Sequence, residues 1–468
     1  MSVFDRDSAD EFARGARAVV AFPDLGGEGR DAGARLAEAA GLAEAIGVVV
    51  EDRLHFRLRQ ARPATLFGKG QVEKIADAVR QAEAELLIVD AAISPVQQKN
   101  LEDETRAKVI DRTGLILEIF GERAATAEGR LQVELAHLDY QAGRLVRSWT
   151  HLERQRGGFG FLGGPGETQI EADRRLIRDR MARLRRELDQ VSRTRGLHRG
   201  RRQRAPWPII ALVGYTNAGK STLFNRLTGS DVMAEDLLFA TLDPTLRQIR
   251  LPGLDKAILS DTVGFVSDLP TQLVAAFKAT LEEVVSADLL IHVRDVAHPD
   301  SEAQRADVEA VLTDIGVSEA TPRIEAWNKI DLLSNQLVIH GSDHREGDRE
   351  PAAQHPDGRA SAGHGDGESS SFDRDALLAE AARREDVVPL SALSGEGVGA
   401  LQAAIAARLT SGHRLYTITL AASDGAGAAW LHRHGEVLER VVDGERAVYA
   451  VRMAPKDFER FETRVRQG

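Results

Sequence analysis

The stretch Gly214-Tyr215-Thr216-Asn217-Ala218-Gly219-Lys220-Ser221-Thr222 has the residue types and spacing that hold a chain of phosphates. It reads G-x-x-x-x-G-K-S, between an apolar run at 209–213 and a helical pattern at 222–227. The glycines let the backbone curl until successive N–H groups face phosphate oxygens. The start of the next helix adds partial positive charge beneath the same phosphates. Lys220 reaches the β- and γ-phosphates, and the Ser221 hydroxyl is a ligand for Mg2+. An ordinary glycine turn is the bland alternative, and the correct flanks on both sides count against it. Taken alone, the motif specifies a nucleoside triphosphate and no base.

The base is chosen by Asn328-Lys329-Ile330-Asp331, at the end of another apolar run. The Asp331 carboxylate accepts the pair of N–H donors on the guanine edge. Adenine lacks that pair, and a site built on polar partners rejects the wrong base by leaving them unpaired. Ser391-Ala392-Leu393 follows the apolar run at 387–390 and supplies backbone contacts to the base. Between these lies Asp261-Thr262-Val263-Gly264, where an acidic strand end holds Mg2+ through water and the Gly264 N–H meets the γ-phosphate. Phe239-Ala240-Thr241-Leu242-Asp243 falls where a first switch loop belongs. Thr241 is then the second hydroxyl on the metal. Thr245 competes for that role, but it already begins the next strand pattern (Leu246, Ile249, Leu251). Lys220, Thr241 and Gly264 are the candidate catalytic set, and GTP and GDP the expected nucleotides.

The elements that must position these residues lie in a chain of 468 residues, long enough for several domains. Net charge is −11, so bulk electrostatics do not mark a nucleic-acid protein, and any such case rests on local clustering. The chain has no cysteine, which excludes disulfides, thiolate zinc sites and cysteine nucleophiles. No apolar run approaches the roughly 18–20 residues that span a membrane. The N-terminus is polar and acidic rather than signal-like, so a cytoplasmic protein is expected.

Residues 1–123 read as a small α/β domain, with strands at 18–22, 48–50, 86–90 and 108–111 and helices at 31–46, 71–82 and 94–103. Such alternation predicts a parallel sheet. Gly68-Lys69-Gly70, ahead of a helix, is either an anion site or, more commonly, only a turn. Residues 124–205 change character. Leu131, Leu135, Leu138, Ala142, Leu145, Trp149 and Leu152 form one heptad seam, and Ile177, Met181, Leu184, Leu188 and Val191 a second. The glycine-rich stretch 157–166 between them cannot be helical. This predicts an antiparallel helical hairpin with an exposed tip. Its second limb is densely basic, and Arg178, Arg185 and Arg186 are candidates for phosphate contact. Phe159 and Phe161 in the glycine loop are candidates for stacking on unpaired RNA bases, with packing on the hairpin itself as the alternative. The GTPase domain spans 206–411, interrupted by a polar insertion at 339–372 expected to be disordered. Residues 412–468 read strand, helix, strand, strand, helix, a small α+β domain.

With these phrases in hand, the chain resembles the HflX family of ribosome-associated GTPases. In the first domain the family-like phrases are Arg62-Pro63-Ala64-Thr65-Leu66-Phe67-Gly68-Lys69-Gly70, Ser94-Pro95-Val96-Gln97-Gln98-Lys99-Asn100-Leu101-Glu102 and Val109-Ile110-Asp111-Arg112-Thr113. In the hairpin they are Leu131-Gln132-Val133-Glu134-Leu135-Ala136 and Gly164-Pro165-Gly166-Glu167-Thr168-Gln169-Ile170-Glu171. The resemblance implies a factor that binds the large ribosomal subunit and its RNA. It further implies separation of stalled or idle ribosomes under stress, monomeric action, and ATP binding by the first domain. The insertion at 339–372 is longer and more polar than this family usually carries. Phe265 stands where many GTPases place a glutamine that orients the attacking water, and a phenyl ring cannot make that hydrogen bond. Intrinsic hydrolysis is therefore expected to be slow. Asn217 sits where related GTPases hold K+ beside the phosphates. The alternative function is an RNA-binding remodeller or scaffold with GTP as a regulatory ligand. The set Lys220, Ser221, Thr241 and Asp261 argues against it.

Overall fold

The computed structural model describes residues 15–26, 30–155, 174–191, 207–229, 238–239, 245–267, 281, 283–333 and 374–467. Phe159, Phe161, Ala240, Thr241, Leu242, Asp243 and the 339–372 insertion lie outside the described residues.

The N-terminal strands β1 (Arg17–Asp24), β2 (Val49–Arg57), β3 (Leu86–Val89) and β4 (Lys108–Asp111) form the expected parallel sheet, in the order β2-β1-β3-β4. Helices α1 (Ala32–Glu44), α2 (Lys69–Gln81) and α3 (Pro95–Thr105) connect them. Helix α3 opens on a reciprocal cap. The Gln97 N–H donates to Ser94 Oγ at 3.2 Å, and the Ser94 N–H donates to Gln97 Oε1 at 2.8 Å. At α2 the Gly68 N–H donates to Gln71 Oε1 at 2.8 Å. The Gly68-Lys69-Gly70 turn is thus a helix cap, and an anion there has to displace Gln71.

Two features depart from expectation. Residues Arg112–Arg123 form a further helix, α4, which buries Leu115, Ile116, Leu117, Ile119 and Phe120. Strand β2 runs on to Arg57, through residues as polar as Glu51, Asp52 and Arg53, because it is an edge strand.

Both limbs of the hairpin are helical: α5 (Ala127–Gln155) and α6 (174–191). On α6, Met181 and Leu184 of the expected seam are buried. On α5 the seam needs correcting. Leu131, Leu135 and Leu138 are half-buried, whereas Val133 and Ala136 are buried in one cluster with Leu115 and Phe120 of α4. The helix therefore packs its most buried side on the N-terminal domain. An ion pair, Arg180 Nη2 to Glu134 Oε1 at 2.7 Å, ties α6 to α5.

The GTPase sheet has the order β10-β9-β8-β5-β7-β6. Its strands are β5 (Ile209–Gly214), β6 (Thr245–Leu251), β7 (Leu254–Asp261), β8 (Leu289–Asp295), β9 (Arg323–Asn328) and β10 (Val387–Pro389), with only β6 antiparallel to its neighbour. Helices α7 (Lys220–Thr228), α8 (Ser301–Asp314), α9 (Arg374–Ala381) and α10 (Val398–Thr410) accompany it. The motif residues 214–222, 261–264, 328–331 and 391–393 all lie at carboxyl ends of parallel strands, where open α/β sheets bind ligands. This sheet and the N-terminal domain share one core, in which Phe120 and Ile116 join Val213, Tyr215, Phe265 and Leu290.

The C-terminal strands β11 (Arg414–Ala421), β12 (Glu436–Asp443) and β13 (Arg446–Met453) form an antiparallel sheet in the order β11-β13-β12. Helices α11 (Gly425–His434) and α12 (Pro455–Gln467) complete the expected α+β domain around Trp430, Leu431, Tyr449 and Phe461. No described helix is long and apolar enough to cross a membrane.

Candidate functional site

The loop after β5 needs glycine at both ends. Gly214 has φ +151°, and an added Cβ would fall on the carbonyl oxygen of Val293. Gly219 has φ +91°, and its Cβ would meet Asn328 Nδ2. Between them Asn217 is exposed and left-handed (φ +56°). Lys220 is buried, and its Nζ donates to Tyr215 O at 2.7 Å. Burial pulls its pKa down to about 8, with Asp261 opposing the shift. A buried ammonium with a depressed pKa is held charged by an anion placed beside it.

Ser221 Oγ donates to Asp261 Oδ2 at 2.8 Å. These are hard oxygen donors from α7 and the end of β7, which suits Mg2+. Among the described residues no group of three or more His, Asp or Glu side chains could hold a metal.

The second switch segment lies against the phosphate loop. The Thr262 hydroxyl donates to Leu212 O at 2.6 Å, so this side chain ties β7 to β5. Val263 is buried. A Cβ on Gly264 would stand 2.9 Å from Thr216 Cα and 3.0 Å from Lys220 Nζ, so only glycine fits this approach. The Phe265 N–H donates to Gly214 O at 3.1 Å, and the Thr216 N–H donates to Phe265 O at 2.6 Å. The Phe265 ring is 1% exposed and packs in the shared core. Of the first switch, Phe239 is described. It is buried, and its ring meets Phe120 of α4 edge-on at 4.7 Å. Any contact it makes with nucleotide is therefore through its backbone.

On the base side, Asn328 is a hub. Its Nδ2 donates to Ala218 O at 2.7 Å, and its Oδ1 accepts the Ala392 N–H at 2.8 Å. Lys329 is left-handed (φ +67°) and pairs with Asp295 at 2.8 Å. Ile330 is buried, and Asp331 is exposed in the short 3-10 turn Ile330–Leu332. Ser391 is buried and accepts the Ser394 N–H at 3.0 Å, while Leu393 is exposed. The structure thus gathers the phosphate loop, Asp261 to Gly264, Asn328 to Asp331 and 391–393 at one end of the sheet.

Sequence reasoning missed a buried polar knot behind the second switch. Arg112 of α4 is 3% exposed. Its guanidinium meets Asp90 and Glu38, and donates to Ser267 O at 3.2 and 3.1 Å and to Ser267 Oγ at 2.8 Å. Arg35 also donates to Ser267 Oγ. The Tyr215 hydroxyl donates to Glu38 at 3.0 Å and accepts the Ser267 N–H at 2.6 Å. Burial alone would lower the Arg112 pKa, but Asp90 and Glu38 raise it above the ordinary value. Arg112 belongs to the phrase Val109 to Thr113, which carries the family resemblance but announces no role.

Family models cover most of the chain. "GTP-binding GTPase N-terminal" matches residues 33–121, "GTP-binding GTPase Middle Region" 123–202, "50S ribosome-binding GTPase" 209–329 and "HflX C-terminal domain" 376–468. A GTPase HflX from Magnetococcus marinus is 47% identical over 417 residues, covering 89% of this chain and 87% of that protein. A GTPase HflX from Escherichia coli is 49% identical over 300 residues, or 64% of this chain and 68% of that one. Another, from Caldanaerobacter subterraneus, is 49% identical over 307 residues, or 66% and 69%.

Proposed function

This chain belongs to the HflX family of GTPases, and on that premise we propose that it binds the large ribosomal subunit and uses GTP to dissociate or rescue stalled or idle ribosomes under stress. It does so in the cytoplasm, as a monomer. The observation that carries this reading is the pairing, in one chain, of a GTP site with a basic helix whose Arg175, Arg178, Arg183, Arg185 and Arg186 are all exposed. An acidic protein with an arginine face of this density has a polyanionic partner to match it. Sucrose-gradient sedimentation with ribosomes tests it. With a non-hydrolysable GTP analogue the protein travels with the large subunit and the subunit peaks grow at the expense of whole ribosomes. Sedimentation at the top of the gradient with either nucleotide sinks the proposal.

In this reading Lys220 and the Gly264 N–H hold the γ-phosphate, while Ser221 and Thr241 would hold Mg2+, which would neutralise phosphate charge. Water attacks the γ-phosphorus, GDP leaves, and phosphate is released. Phe265 offers only backbone atoms to that water, because its ring is buried in the core. Asn217 would hold a K+ that supplies positive charge beside the phosphates, and the docked ribosome would supply the missing orientation. ATP binding by the first domain is part of the same proposal, and it is not built on the Gly68 turn, whose N–H is already taken.

Base choice rests on Asp331. Asp331→Asn should weaken guanine binding by about 1–3 kcal/mol, the cost of a mismatched polar partner. Xanthosine triphosphate, whose edge suits an amide, should gain on GTP in competition. An unchanged preference removes Asp331 from the base site.

The hairpin carries a separate expectation. Replacing Phe159 and Phe161 by Ala removes stacking worth about 1–3 kcal/mol per base. Ribosome-stimulated turnover should fall while intrinsic turnover holds. Replacing Arg178, Arg185 and Arg186 should instead weaken ribosome binding broadly and flatten its salt dependence, as each lost phosphate contact frees one counterion fewer. Full stimulation in the double Phe variant makes the hairpin a spacer.

A further inference from the structure

Arg226 lies in the last turn of α7, the helix that begins at Lys220. None of the nucleotide motifs includes it. Its Nε donates to Ala392 O at 2.9 Å and its Nη2 donates to Leu393 O. Gly395, at φ +94°, makes room for the guanidinium, since an added Cβ would stand 2.9 Å from Nη1. The arginine therefore clips two successive carbonyls of the 391–393 loop to the helix that carries the phosphate loop.

The carbonyls fix the opposite edge of the loop as well. In a trans peptide the C=O and the following N–H point in opposite directions. Ala392 O turned to Arg226 sends the Leu393 N–H away from α7. Ser391 O accepts the Gly395 N–H at 2.8 Å, which sends the Ala392 N–H the other way, onto Asn328 Oδ1 at 2.8 Å. The Ala392 N–H is thus taken by Asn328, and the Leu393 N–H points away from α7. No described residue accepts the Leu393 N–H.

We propose that Arg226 is a positioning residue for guanine recognition: by holding Ala392 O and Leu393 O it fixes the peptide whose Leu393 N–H is left to meet the exocyclic oxygen on position 6 of the base. The proposal rests on the reading of 391–393 as a base contact. Donors oriented before the ligand arrives need not be ordered on binding, which improves affinity without adding a contact. The planar fork of arginine suits two neighbouring carbonyls, whereas a lysine ammonium is a point donor without that fixed geometry.

The test uses the full chain and competition against a fluorescent GDP by GDP, inosine diphosphate and 6-thioguanosine diphosphate. Sulfur is a poor acceptor, so wild-type protein should bind the thio nucleotide more weakly than GDP. Inosine diphosphate lacks the 2-amino group that Asp331 meets. In Arg226→Ala, GDP affinity should fall roughly three- to tenfold, the scale of one net hydrogen bond. The penalty for sulfur should shrink, while the penalty for inosine keeps its wild-type value. Arg226→Lys should recover part of the GDP affinity. Unchanged GDP affinity overturns the proposal. So does an equal loss for all three nucleotides, which means only a loosened helix. If wild-type protein binds the thio nucleotide as tightly as GDP, the reading of 391–393 fails, and the proposal with it.

Discussion

Lys220→Ala will reduce GTP hydrolysis to background, while the protein still folds. In the proposed function Lys220 is the cation that the loop places on the phosphates, and its Nζ lies where a Cβ on Gly264 would stand only 3.0 Å away. It therefore sits between the phosphate loop and the segment that senses the γ-phosphate. Charge on the transferring phosphoryl group develops against this ammonium in a buried site, where electrostatic stabilisation is strongest. Loss of one such donor typically costs about 10²–10³ in rate, and loss of a full charge costs more. Within the fold, Lys220 Nζ donates to a backbone carbonyl of its own loop, Tyr215 O. Unfolding by urea should accordingly be close to wild type. Turnover near the wild-type rate in the variant would falsify the site assignment.

The parts legible in the sequence were those whose signal is local. The phosphate loop and Asn328 to Asp331 are contiguous stretches, and strand β3 is a short apolar run, Leu86–Val89. The C-terminal domain was readable end to end because its strands alternate or run in β-branched blocks between Gly and Asp. Helix α4 was not legible, since Leu115, Ile116, Leu117, Ile119 and Phe120 leave no polar face and so no helical period. Strand β2 was cut short because its edge position lets it be polar.

Within the site, whatever depends on pairing across the chain was invisible. Arg226 and Ala392 are 166 residues apart, and Arg112 and Ser267 are 155 apart. An arginine on a helix surface pattern is ordinarily solvated, and only the fold shows which carbonyl it meets. The Phe265 reading shows the converse. Residue type alone indicated that the side chain cannot orient water, and the structure adds that it is buried in a core shared with another domain.

Arg112→Ala will be strongly destabilising, more so than most single changes in the core. The guanidinium lies between Asp90, 3% exposed, and Glu38, and it also donates to Ser267 O and Oγ. Removing it leaves Asp90 with the longer pair to Arg35, at 3.6 Å, and Glu38 with the hydroxyls of Tyr215 and Ser267, in a poorly solvated space; truncating one partner of a buried ion pair typically costs about 3–5 kcal/mol. The knot also joins elements from two domains. Glu38 comes from α1 and Asp90 follows β3, while Tyr215 and Ser267 belong to the GTPase domain. Arg112→Lys should recover little, because an ammonium cannot reproduce the fork that spans both carboxylates and the carbonyl. A double change, Arg112→Ala with Asp90→Asn, should cost less than Arg112→Ala alone, since it leaves one buried carboxylate charge instead of two to be met by Arg35 and the hydroxyls. Urea unfolding of the full chain measures all three. If Arg112→Ala shifts stability by no more than a surface substitution, the buried network contributes nothing. If the double variant is the less stable of the two, unpaired charge is the wrong explanation, and the loss lies in the contacts to Ser267.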